Sequence, residues 1–170
     1  MIERYSTQIR LATLKDYEEI VDILKELAGW LKESHINQWS YLLDGGEDEE
    51  IKQAIVRKET YVLQRNQEVI GTFTLSGQQS EWDQGLWGVQ EDHYAFYLHR
   101  LAVRLDQKGS GLGAYMLAWA ESHFASGERF KLRLDCVKEN DKLNEFYRKQ
   151  GFTFKGAVDD FCLYEKEINP

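Results

Sequence analysis

The chain has 170 residues, a net charge of −8 and an isoelectric point of about 5.1. This length suits one compact domain over residues 1–170, and the acidic balance argues against nucleic acid, whose binding requires a positive face. No apolar run is long enough to cross a bilayer, and the first ten residues lack a signal peptide's apolar stretch. Because no spanning segment is predicted, we expect no membrane partner. Cys136 and Cys162 have no C-x-x-C spacing, so we expect buried thiols and a cytoplasmic location.

The first half of the chain predicts a strand, two helices and a hairpin. A short strand over residues 8–12 precedes Thr13, which can cap a helix. That helix carries an apolar stripe at helical spacing, made of Tyr17, Ile20, Val21, Leu24, Leu27, Ala28 and Leu31. A shorter helix is expected over 49–57, and strands over 61–64 and 69–75 are expected to form a hairpin.

The middle and second half predict a loop, then alternating strands and helices. Residues 77–93 are interpreted as a long segment of low order, either functional or an ordinary surface excursion. The elements expected after it are a strand over 94–103, a helix over about 111–126 ended by Gly127, a strand over 131–136, a helix over 140–150 and strands over 152–155 and 161–167. This order describes a mixed α/β domain with one sheet flanked by helices.

A glycine-rich turn, Lys108–Gly113, lies between the strand over 94–103 and the apolar helix. Glycines let backbone amides approach a ligand, and a helix N-terminus adds unpaired donors, so the turn suits a phosphate or pyrophosphate. Two other interpretations stay open: a turn without a ligand, and a dinucleotide fingerprint spelled Gly109-x-Gly111-x-x-Ala114 with Asp135 as its acidic partner. The link before the glycines and the short chain after them disfavour the dinucleotide reading.

Two blocks of the sequence resemble the acetyl-CoA motifs of the GNAT acetyltransferase superfamily. Tyr97–Val103 followed by Lys108-x-x-Gly111-x-Gly113 is similar to the family's strand and Arg/Gln-x-x-Gly-x-Gly/Ala turn, with lysine at the first position. The block Asn140-x-x-Leu143-x-x-Phe146-Tyr147-x-x-x-Gly151-Phe152 resembles the family's Asn-x-x-Ala-x-x-Φ-Tyr-x-x-x-Gly-Phe, where Φ is apolar, with leucine for alanine. The resemblance implies a GNAT fold, with a mixed central sheet of about seven strands, about four flanking helices and a splay in the middle for the pantetheine of acetyl-CoA.

The resemblance also implies which residues hold acetyl-CoA. Main-chain groups of Leu101, Ala102 and Val103 would contact the pantetheine arm, and an amide near Leu101 would polarise the thioester carbonyl. Asn140 would face the pantetheine. The pyrophosphate would be held by the turn and the helix start, namely Lys108, Gly109, Ser110, Gly111, Leu112, Gly113 and Ala114.

Tyr147, His99 and Tyr97 are the candidate catalytic residues. The resemblance implies that Tyr147 is the donor to the departing thiolate, since a phenol keeps its proton at neutral pH. Without the resemblance, Tyr147 is interpreted as a core residue. An amine attacks only when neutral, so a base is needed, and histidine titrates near neutrality. Strand alternation places Tyr97, His99 and Leu101 on one face, and the string resembles that of arylalkylamine N-acetyltransferases, where histidines at both positions matching Tyr97 and His99 remove the proton.

Other readings of these residues stay open. His99 could be a structural histidine, with a water relayed through Tyr97 or a loop carboxylate as the base. Asp135 and Cys136 are interpreted as sheet packing without catalytic work, and no spacing of His, Cys or carboxylates suggests a metal.

The sequence therefore predicts an N-acetyltransferase that moves the acetyl group of acetyl-CoA to a primary amine of a small molecule in a ternary complex. The resemblance implies that the acceptor lies between the first helices, the loop before the motif strand and the last hairpin. A cationic or arylalkyl amine is favoured, because these regions carry tryptophans and carboxylates: Trp30, Trp39, Trp82, Trp87, Glu47, Asp48, Asp159 and Asp160. The alternatives are a non-catalytic module that senses acyl-CoA and a dinucleotide enzyme. The family resemblance suggests a homodimer.

Overall fold

The computed structural model describes residues 7–36, 38–39, 43, 45–91, 94–123 and 131–168. Within them, a 7-stranded sheet has the order β1-β2-β3-β4-β5-β7-β6. The strands are β1 (Thr7–Leu11), β2 (Thr60–Arg65), β3 (Glu68–Ser76), β4 (Ala95–Val103), β5 (Lys131–Val137), β6 (Thr153–Val158) and β7 (Phe161–Glu167). The β4–β5 pair is parallel, whereas β1–β2, β2–β3, β5–β7 and β6–β7 are antiparallel. The predicted mixed sheet is confirmed.

Helices lie in the connections between these strands, except in β2–β3 and β6–β7. They are α1 (Tyr17–Glu33), α2 (Asp48–Val56), α3 (Glu81–Trp87), α4 (Leu112–His123) and α5 (Asp141–Lys149), with 3-10 turns at Leu14–Asp16 and Leu105–Gln107. The predicted end of α4 at Gly127 lies outside the described residues. No helix in the described ranges combines the length and apolar character needed to cross a membrane.

Helix α3 corrects the sequence prediction, which gave about four helices and treated residues 77–93 as a loop. A capping box starts this helix: Asp83 N donates to Ser80 Oγ at 3.2 Å, and Ser80 N donates to Asp83 Oδ2 at 3.1 Å. The helix is short, and Gly85 lies inside it. Its sequence therefore lacks the apolar periodicity that revealed the longer helices.

The chain divides into two compact units. The first contains residues up to 75 and residues 100–116. Its core is formed by one apolar cluster, whose buried members include Ile20, Leu24, Ala28, Ile51, Ile55, Val62, Val69 and Ala102. The stripe predicted on α1 supplies several of these side chains, so burial of that stripe holds the first unit together.

The β2–β3 hairpin turns at Asn66 and Gln67, whose φ angles are +50° and +70°. Two successive left-handed residues are typical of a type I′ turn, which matches the twist of the strands that it joins. The turn lies between the strands predicted over 61–64 and 69–75, and Arg65 pairs with Glu68 across it.

The second unit contains residues 76–99 and 117–170. Its strands β5, β6 and β7 pair with one another, and Leu132, Leu134 and Tyr164 are buried among its apolar side chains. The β4–β5 ladder consists of Ala95–Tyr97 paired with Lys131–Arg133. Although both strands continue, no further pair between them occurs in the described residues, which agrees with the predicted splay.

Arg100 breaks the regular geometry of β4, since its φ is +53°. A left-handed residue in a strand interrupts the alternation of side chains between the two faces. The expectation that Tyr97, His99 and Leu101 follow one uninterrupted alternation is therefore wrong beyond His99. After the interruption, Ala102 is buried, and Leu101 is only partly buried.

Candidate active site

The glycine-rich turn of the first unit has the backbone that its sequence predicts. Gly109 and Gly111 have φ angles of +79° and +83°, a region that glycine enters without steric cost. A Cβ at either position would meet nothing within 4 Å. Glycine is therefore required here by the backbone conformation and not by crowding.

The amides that follow this turn are available as donors. Ser110 N donates to Gln107 O at 3.2 Å, and Tyr115 N donates to Gly111 O at 3.0 Å. The amides of Leu112, Gly113 and Ala114, at the start of α4, find no acceptor among the residues that the structure describes. Donors of this kind at a helix N-terminus suit a phosphate group.

Lys108 has an aromatic neighbour within the first unit. Its Nζ lies 3.2 Å from the centroid of the Trp30 ring, a cation–π contact. Trp30 was predicted to lie in the acceptor region, but its ring is covered by this ammonium group. The backbone amides of α4 are therefore the stronger candidates for binding a pyrophosphate.

In the second unit, His99 lies beside a buried carboxylate on α3. Its Nε2 is 3.1 Å from Asp83 Oδ2, and the two side chains are 19% and 1% exposed. Oδ2 also lies 3.1 Å from both the backbone N and the hydroxyl of Ser80. The carboxylate that caps α3 thus also contacts the predicted base.

Asp135, at the end of β5, completes a histidine–carboxylate cluster with Asp83 and His99. One potential ligand atom from each of the three residues lies within 4.8 Å of the others. Trp82 Nε1 donates to Asp135 and lies 3.2 Å from both carboxylate oxygens. The interpretation of Asp135 as sheet packing alone was incomplete, because its carboxylate also faces His99.

The chemistry of the cluster favours proton exchange. Burial raises the pKa of Asp135 to about 6, and the negative charge of Asp83 contributes to this rise. The nearby His99 and the hydrogen bond from Trp82 act in the opposite direction and lower this pKa. Three such groups could also bind a metal. However, the carboxylate oxygens already accept hydrogen bonds from Ser80 and Trp82, and a metal would compete with these donors.

Tyr147, on α5, has its ring in the core of the second unit. Ring centroids of Phe146, Phe152 and Tyr164 lie 5.2, 5.7 and 6.1 Å from its own. Burial, with smaller contributions from Cys136 and Asp135, raises its pKa above the ordinary value. Its hydroxyl forms no hydrogen bond with the described residues, so it retains a proton that is not committed to a protein acceptor.

Two other predicted site residues have protein partners. Tyr97 is buried, and its hydroxyl accepts a hydrogen bond from Arg133 Nη1 at 2.8 Å, while Arg133 Nε donates to Glu165 at 2.8 Å. Asn140 Oδ1 accepts from Leu143 N at 3.1 Å and so caps α5. The structure thus gives both residues a structural role, and their predicted functions stay predictions.

Known proteins similar to this chain agree with the motifs. Residues 22–152 match the model of the acetyltransferase (GNAT) family. The uncharacterized N-acetyltransferase YesJ of Bacillus subtilis (strain 168) is 40% identical over 158 residues, which are 92% of this chain and 88% of that protein.

Solved structures show the same fold. A GNAT family acetyltransferase from Listeria monocytogenes is 34% identical, with a TM-score of 0.79 over 95% of this chain and 94% of that chain. The PaiA N-acetyltransferase from Thermoplasma acidophilum, solved in complex with coenzyme A, is 19% identical, with a TM-score of 0.78 over 95% of this chain and 99% of that chain. The family match and the identity to YesJ show that this chain belongs to the GNAT family and is an acetyl-CoA-dependent acyltransferase.

Proposed function

We propose that this acyltransferase moves the acetyl group of acetyl-CoA to a primary amine of a small molecule in a ternary complex. The observation that carries the proposal is His99 beside Asp83 and Asp135. An amine is protonated near neutral pH, and attack on a thioester requires its neutral form. A histidine in contact with a carboxylate suits the removal of that proton.

The proposed reaction uses one residue of the chain to accept a proton and another to donate one. His99 accepts a proton from the amine, whose nitrogen then forms a bond to the carbonyl carbon of the thioester. A β4 amide near Leu101 stabilises the oxyanion. The nitrogen then loses its second proton to solvent, the carbon–sulfur bond breaks, and Tyr147 gives its proton to the thiolate. Solvent takes the proton from His99 and returns one to Tyr147, so the overall reaction releases one proton.

A cationic or arylalkyl acceptor is supported by the second unit more than by the first. Several candidate residues of the first unit already have partners. The Lys108 ammonium group lies over the Trp30 ring. Glu47 pairs with Arg100 at 3.0 Å, and Asp48 pairs with Lys25 at 3.7 Å. By contrast, Trp82 is 48% exposed and lies beside the Asp135 carboxylate. An aromatic ring next to a carboxylate attracts an ammonium group.

The roles of acetyl-CoA and of the amine are tested in two steps. Isothermal titration with acetyl-CoA, coenzyme A and NAD is expected to show binding of the first two only. A screen of polyamines, arylalkylamines, amino acids and alcohols, read by release of free thiol, is expected to give turnover with amines. Binding of acetyl-CoA with turnover of alcohols or thiols, and of no amine, would contradict the proposal.

Tyr147→Phe tests the donor, with Tyr115→Phe as the matched control. Both changes remove one hydroxyl, but Tyr115 is 45% exposed. Tyr147→Phe is expected to lower kcat by about 10²–10⁴-fold, the usual contribution of a general acid, with acetyl-CoA binding retained. An equal kcat in the two variants would show that Tyr147 is a core residue only.

A further inference from the structure

The contacts of Asp83 determine which nitrogen of His99 carries a proton. Asp83 Oδ2 accepts from Ser80 N, a group that can only donate. A carboxylate has no proton to give, so the 3.1 Å contact with His99 Nε2 is a hydrogen bond only if Nε2 donates. A neutral His99 then carries its proton on Nε2 and a lone pair on Nδ1.

Nδ1 is the nitrogen that remains available. It forms no hydrogen bond with the described residues, and the His99 side chain is 19% exposed. Asp83, by contrast, is 1% exposed and is fixed by Ser80 at the start of α3. The Asp83 carboxylate is therefore the fixed partner, and its position sets the orientation of the His99 ring.

We propose that Asp83 is a positioning residue that holds the proton of His99 on Nε2, so that Nδ1 takes the proton of the acceptor amine. This inference rests on the proposed function, because it assumes that His99 is the base. Asp135 is a weaker candidate for the same role, since both of its carboxylate oxygens face the Trp82 donor. The sequence marks Asp83 through the capping pattern Ser80-x-x-Asp83, but it does not connect this residue with His99, and the segment was predicted to be a loop.

The proposal is tested with Asp83→Ala, His99→Gln, the double variant and a matched control, Gln84→Gly. Gln84 lies on α3 and is exposed. Glycine there weakens the helix without removing a group of the cluster. The control therefore separates the loss of the Asp83 carboxylate from a general loosening of α3.

The expected kinetics differ among these variants. Asp83→Ala lowers kcat by about 10- to 100-fold, part of the usual contribution of a general base, with acetyl-CoA binding retained. It has little further effect in the His99→Gln background, because residues that act as one unit are not additive. Gln84→Gly changes kcat less than about 3-fold, within the range of a surface substitution. An equal loss in Gln84→Gly and Asp83→Ala would overturn the proposal.

Nitrogen-15 NMR of the imidazole tests the proton position without any substrate. Wild type and Gln84→Gly are expected to show a proton on Nε2 of His99 that exchanges slowly; this signal disappears in Asp83→Ala and in His99→Gln. A proton on Nδ1 in the wild type would overturn the proposal.

The activities of the variants separate the two proposals. If His99→Gln is fully active, the base assignment in the proposed function fails. If His99→Gln is impaired and Asp83→Ala is not, only the positioning role fails.

Discussion

Replacement of Asp135 by asparagine is expected to stabilise the protein at pH 7.5. Burial raises the pKa of this carboxyl from 3.8 to about 6, so the folded state holds its proton more tightly than the unfolded chain does. The resulting stabilisation is fully present below pH 3.8 and is lost as the pH rises through about 6. Above that pH, ionised Asp135 lowers the free energy of unfolding by at most about 3 kcal/mol, since one pKa unit corresponds to about 1.4 kcal/mol.

Asparagine cannot ionise, and its carbonyl oxygen can still accept the Trp82 hydrogen bond. Urea unfolding followed by circular dichroism should therefore give a gain of about 1–3 kcal/mol at pH 7.5 that shrinks towards zero at pH 4. Asp22→Asn is the control, because Asp22 is exposed on α1, and its effect should stay within about 0.5 kcal/mol at each pH. A loss of stability in Asp135→Asn at pH 7.5, or an effect independent of pH, would refute this reasoning.

Three further substitutions test other parts of the structure. Gln67→Gly is expected to raise the free energy of unfolding by about 0.5–1 kcal/mol, because Gln67 has a φ of +70° that glycine adopts more easily; an unchanged urea midpoint would contradict this. Gly111→Ala should weaken acetyl-CoA binding by about 5- to 10-fold, because alanine at a φ of +83° adds about 1 kcal/mol of backbone strain. An unchanged Kd by calorimetry would contradict this. Trp82→Phe removes the donor that lowers the pKa of Asp135, so carbon-13 NMR should show that pKa rising above its wild-type value; a fall would contradict the assignment.

The family and the fold could be predicted because their signals are local. The turn at Lys108–Gly113 and the block at Asn140–Phe152 are short patterns set by backbone chemistry and helix periodicity. The apolar stripe of α1 likewise depends on spacing within one element. Each can be recognised without knowing what the segment contacts.

The histidine–carboxylate cluster could not be predicted in the same way. Asp83, His99 and Asp135 lie on α3, β4 and β5 and meet only after tertiary folding. The one local signal was Ser80-x-x-Asp83, a variant of the capping box with aspartate at its last position. The partners of Tyr97 also escaped prediction, because Arg133 is distant in sequence.

Arg100 has a consequence for the mutational tolerance of β4. Its left-handed backbone, with a φ of +53°, is costly for β-branched side chains, whereas glycine, asparagine and aspartate adopt it more readily. The arginine side chain is nevertheless held by Glu47 at 3.0 Å. Two demands therefore compete at one position: the backbone favours small flexible residues, and the ion pair favours a long cation. We therefore expect fewer residue types to be tolerated at position 100 than at ordinary strand positions, although the Arg100 side chain has no assigned part in the chemistry.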